Sequence, residues 1–137
     1  MRIQHNSKHI GELTQAIIMT ALLKRGDVVL LPFGDNQRYD LVIETTQGFQ
    51  RVQCKTGQLK KGAVEFAVAS SRYHRGGQRS AYTNQIEFFG VYCPKNGKSY
   101  LVPAATLPLR NQCSLRIDPP GNSQIKGIRW ASDFELV

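Results

Sequence analysis

Asp40, Gln53 and Lys55 are an acid, an amide and a cation, with twelve residues between the first two and one between the last two. If residues 49–55 form a strand, Gln53 and Lys55 point to one face, and Val52 and Cys54 to the other. A turn at residues 45–48 would bring Asp40, at the start of the preceding strand, beside that pair. Glu12, on a leading helix, would complete the cluster from above. Oxygen donors of this kind hold hard divalent cations, usually magnesium. Such an ion stabilises charge on a phosphodiester and acidifies a bound water. A neighbouring lysine can orient that water and neutralise developing charge. Phosphodiester hydrolysis is the expected chemistry.

The elements needed to position these groups are legible. Residues 8–25 read as a helix, with Ile10, Leu13, Ile17 and Ala21 at helical spacing, Asn6 or Ser7 as cap and Gly26 at the end. Strands follow at 27–31, 39–44 and 49–55. Leu41-Val42-Ile43 is unbroken and apolar, which predicts burial on both faces. A fourth strand is expected at 64–69, and two more at 87–93 and 99–102 around Asn96-Gly97, a strong hairpin signal. A helical turn is expected after Pro103, and Trp130 and Phe134 should pack back on the core. No internal repeat or linker divides residues 1–137, so a single domain is expected.

Charge points to a polyanionic partner. The 137 residues carry 18 Lys and Arg against 10 Asp and Glu, a net of +8. Residues 60–98 hold a net of +5, against +2 before them and +1 after. Within that third lie Lys60 and Lys61, and a polar stretch at 70–85 containing Arg72, His74, Arg75 and Arg79. These are the candidate nucleic-acid contacts, arginine being the usual reader of guanine and both cations partners of phosphate. Three cysteines without C-x-x-C spacing suggest neither a disulfide framework nor a zinc site, and a reduced, cytoplasmic chain is expected. No apolar run approaches the ~20 residues of a membrane span.

The order helix, Asp40, Gln53-x-Lys55 resembles the PD-(D/E)XK nuclease superfamily. The stretches PFGDNQRYDLVIE, RVQCKTGQLKKG, FFGVYCPKNGKSYLVP and KGIRW are similar to its group I intron homing endonucleases. The resemblance implies an α/β, restriction-endonuclease-like fold, with a mixed sheet of about five strands flanked by helices. It implies Asp40 as the metal-binding aspartate, Gln53 as the second ligand, Lys55 as the catalytic lysine, Glu12 as a helical acid, and the main-chain carbonyl of Cys54 as a further ligand. Tyr39 stands in place of the motif's proline, which is often missing in the superfamily, and Gln53 in place of its second acid. The implied activity is magnesium-dependent, sequence-specific cleavage of double-stranded DNA leaving a 5′-phosphate. A subunit this small with one site implies a homodimer or homotetramer for cutting both strands. A junction-resolving nuclease with the same site, and a non-catalytic DNA-binding protein on the same fold, remain alternatives. The first would prefer four-way junctions, and the second would bind without cutting. An RNA-binding or ribonuclease module ranks below them, because the aromatic signature of the common sheet modules is missing.

Overall fold

The computed structural model describes residues 6–68, 85–107, 111–122 and 126–137. Arg72, His74, Arg75 and Arg79, with the polar stretch that carries them up to residue 84, lie outside the described residues.

Helix α1 spans Ser7–Arg25. The Asn6 side chain accepts the His9 N–H at 2.8 Å, satisfying one of the amides left unpaired at a helix start. Gly26 ends the helix at φ 99°, and the N–H of Asp27 returns to the Leu22 carbonyl at 3.0 Å. The buried stripe is Thr14, Ile18 and Leu22, spaced by one turn each. Helical spacing in the sequence favours the neighbouring stripe, through Leu13 and Ile17. Leu13 is 51% exposed and Ile17 half-buried. Apolar residues occupy both stripes, so periodicity alone does not choose between them.

The chain continues through β1 (Val28–Leu30), β2 (Leu41–Thr45) and β3 (Gly48–Thr56), two antiparallel pairings that follow the expected hairpin. Strand β6 (Phe88–Cys93) lies parallel to β3, with Gln53 opposite Phe89 and Lys55 opposite Val91. Arg51 and Glu87 fix that register. Arg51 Nε meets Glu87 Oε2 at 2.9 Å, and the Glu87 N–H donates to the Arg51 carbonyl at 3.0 Å. The Asn96-Gly97 turn leads to β7 (Lys98–Pro103), and β9 (Glu135–Leu136) closes a six-stranded mixed sheet ordered β1-β2-β3-β6-β7-β9. The helical turn after Pro103 is a short 3-10 helix at Ala104–Thr106.

A second, antiparallel sheet of three strands has no counterpart in the sequence reading: β4 (Gln58–Lys60), β5 (Ala63–Ala67) and β8 (Gln112–Arg116). The strand expected at 64–69 belongs to it. Two core layers result. Ile18 and Leu22 of α1 pack on Leu41, Ile43 and Val52 across one face of the large sheet. On the other face Val64, Phe66 and Leu115 of the small sheet meet Phe89, Val91 and Tyr100, with Phe134 packed against them. The expected flanking helices are thus, among the described residues, one α-helix on one face and a sheet on the other. Leu41 and Ile43 are buried beneath α1, but Val42 points to the opposite face and is only half-buried.

Candidate active site

The alternation of β3 sorts its side chains as expected. Val52, Cys54 and Thr56 face α1, with the Thr56 hydroxyl 2.7 Å from that of Thr14. Gln53 and Lys55 face away from the helix, in the same rows as Phe89 and Val91. Both are half-buried at the border of the inter-sheet core.

The site forms where β2 and β3 separate. The last pair of their ladder is Leu41 with Val52, and the Asp40 N–H donates to that same Val52 carbonyl at 2.9 Å. Beyond it β3 continues for four residues without β2 beside it. The carboxylate of Asp40 fills the gap. Its Oδ2 accepts the Cys54 N–H at 2.7 Å and Gln53 Nε2 at 3.0 Å. A carboxylate only accepts, so the Gln53 amide must present nitrogen to it, which leaves the amide oxygen Oε1 free of that contact. Both of these contacts fall on Oδ2.

Burial pushes the Asp40 carboxyl above the usual aspartate range, against the lowering effects of the Cys54 amide and of the Lys55 charge. Lys55 is therefore near enough to act on Asp40 electrostatically. The Cys54 thiol is also pushed up, by burial first and by Asp40 second, so the sulfur stays protonated and only the main-chain carbonyl of this residue suits a hard cation.

Glu12 is not hydrogen-bonded to this set. Its side chain is exposed and forms no hydrogen bond or ion pair with the described residues. The helical residue that touches Asp40 is Gln15, one turn on, whose Nε2 donates to the Asp40 carbonyl at 3.1 Å. A polar side chain at this position carries no signal in the sequence, and only the rotation of the helix about its axis reveals its role. Lys60, in β4, and Lys61, in the following turn at φ 48°, are both exposed.

Among the described residues, no three His, Cys, Asp or Glu side chains converge as a metal cluster. The available donors are instead one carboxylate, one amide oxygen and one main-chain carbonyl. Such an all-oxygen set suits a small hard cation that keeps several waters, and does not suit zinc. No helix of the described residues is long and apolar enough to cross a membrane.

A family model described as PD-(D/E)XK endonuclease matches residues 5–137. Among solved structures, that of a bacterial homing endonuclease, I-Ssp6803I, is similar with a TM-score of 0.71 and 24% sequence identity, covering 95% of this chain and 88% of that one. At that identity the likeness is one of fold, and it extends over the helix and both sheets. No curated protein matches the chain.

Proposed function

The chain belongs to the PD-(D/E)XK endonuclease family, and from that premise we propose that it is a magnesium-dependent enzyme that hydrolyses double-stranded DNA at a specific sequence, as an intron homing endonuclease. The observation that carries this reading is the meeting of Asp40, Gln53 and Lys55 at the point where β2 leaves β3.

Asp40 Oδ1, Gln53 Oε1 and the Cys54 carbonyl would hold the ion, with Glu12 as an acid on the adjoining turn of α1. When bound, magnesium supplies charge neutralisation at the scissile phosphate and a more acidic water. Asp40 gives the site its negative charge in a partly desolvated setting, where attraction for a dication is strong. Gln53 adds an oxygen donor without charge and fixes the Asp40 carboxylate through its amide. Lys55, on the same face as Gln53, neutralises a non-bridging phosphate oxygen and takes part in orienting the attacking water.

Lys60 and Lys61, exposed just past the catalytic strand, are assigned to DNA phosphates. Arg72, His74, Arg75 and Arg79 are assigned to phosphate and base contacts on sequence grounds. Cutting both strands calls for at least two sites, hence a homodimer or homotetramer. An exposed apolar face supports self-association: Val28, Leu30 and Phe49, 55%, 40% and 65% exposed, share the side of β1–β3 away from α1.

The test is cleavage of a DNA library or host segment with magnesium and with EDTA, by the wild type and by Lys55→Ala. Magnesium-dependent cutting at few sites, lost in the variant, supports the reading. Tight duplex binding with no cutting on any segment would replace it with a non-catalytic DNA-binding role.

A further inference from the structure

Two polar contacts of α1 are not needed to build the helix. Thr14 is 2% exposed, in the stripe that otherwise buries Ile18 and Leu22, and a hydroxyl there requires a partner. It has one in the Thr56 hydroxyl at 2.7 Å. The next residue, Gln15, reaches the main-chain carbonyl of Asp40 at 3.1 Å. Thr56 ends β3, and Asp40 immediately precedes β2. Adjacent residues of one helix therefore hold the two chain segments that border the gap filled by the Asp40 carboxylate. A rigid helix fastened to both sides sets their separation, and with it the reach of Asp40 Oδ2 to the Cys54 N–H at 2.7 Å.

We propose that Gln15 is a positioning residue of the active site, and that α1, through Gln15 and Thr14, fixes the width of the gap between the Asp40 segment and the end of β3. The proposal rests on Asp40 being the catalytic carboxylate. Gln15 acts through the Asp40 main chain and not on the substrate. Its loss lets the Asp40 peptide drift, which loosens the Cys54 contact and misaligns the donor set. Misplacement of about 1 Å can cost on the order of 100-fold in rate.

The experiment uses Gln15→Met, which keeps length and removes the donor. Two quantities are read: exchange of the Cys54 amide proton in metal-free protein by NMR, and the single-turnover cleavage rate at saturating DNA on a segment the wild type cuts. The expected result is exchange at least about tenfold faster, and a rate about tenfold lower with DNA affinity unchanged. Leu13→Ala, on the exposed side of the same helix, should change neither. If Gln15→Met leaves exchange and rate at wild-type values, the proposal is wrong. Should that variant not fold, Thr14→Ser and Thr14→Val decide: serine keeps the hydroxyl and should keep both readouts, and valine should lose both. Equal behaviour of serine and valine would also overturn it. Asp40→Asn distinguishes the two levels, because full cutting by that variant refutes the assignment of the active site itself, whereas its inactivity beside a wild-type-like Gln15→Met refutes only the role of Gln15.

Discussion

The carboxylate of Asp40 does for Cys54 what a neighbouring strand does elsewhere in the sheet: it accepts the main-chain N–H, at 2.7 Å, where β2 has already turned away. The site is thus a ladder position handed over from backbone to side chain: Asp40 serves the fold through Oδ2, while the proposed ion would sit on Oδ1 of the same carboxylate. Removing the Lys55 charge that acts on it should separate the two. Lys55→Met retains the apolar stem and loses the charge. It is expected to fold with near wild-type thermal stability and to lower the cleavage rate by about 100-fold or more, the scale of a lost charge-stabilising donor. Parallel melting curves and single-turnover assays check both halves.

The raised pKa of Asp40 has a sign that can be tested. Burial makes the folded chain hold this proton to higher pH than the unfolded chain does. Above the folded pKa the ionised group therefore costs stability. The cost is relieved as pH falls through that value, and is gone below the ordinary aspartate pKa, where both states are protonated. Metal-free Asp40→Asn should consequently melt higher than wild type at neutral pH, and the gap should close in acid. Melting in EDTA across pH measures it. Wild type melting higher at neutral pH would show that the Cys54 and Lys55 interactions outweigh burial.

Gln53→Glu replaces an amide donor with a second carboxylate. In metal-free protein the new group cannot donate to Asp40 Oδ2 and repels it, so the melting temperature in EDTA should fall. In magnesium the extra charge should tighten binding by about tenfold, on the order of 1.4 kcal/mol. Calorimetric titration with magnesium tests the second part. Weaker or unchanged binding would remove Gln53 from the ligand set.

How much of this was readable without coordinates follows from distance along the chain. Asp40, Gln53 and Lys55 are joined by one hairpin, so turn position and strand alternation suffice to bring them together. The contacts from α1 depend on its rotation about its own axis. Thr14 and Gln15 are polar and gave no apolar signal, while Leu13 and Ile17 gave a false one. Strand β4 has three residues, and β8 buries only Cys113 and Leu115, too few for alternation to stand out. Their pairing through β5 is a long-range event that no local pattern encodes. The expectation that residues 41–43 are covered on both sides failed at Val42, because the small sheet packs on β6 and β7 and not on β1 and β2.

Gly57 tests how tightly that small sheet is coupled to β3, the strand that carries Lys55. It is the single residue between β3 and β4, and its N–H donates to the Tyr92 carbonyl at 2.7 Å. A Cβ added there would lie 2.7 Å from Val64 Cγ1 and 3.0 Å from Val91 Cγ1. Both valines are fully buried, so neither can swing away without disturbing the core between the sheets. Gly57→Ala should therefore cost about 1–3 kcal/mol, the range for overpacking a dense interior. Because Lys55 lies two residues before the strained point, the cleavage rate should fall as well. Trimming the obstacle separates the two effects. Val64→Ala in the Gly57→Ala background should recover part of the lost rate while leaving the protein less stable than wild type. Stability and rate moving together through both variants would mean that Gly57 matters only for folding.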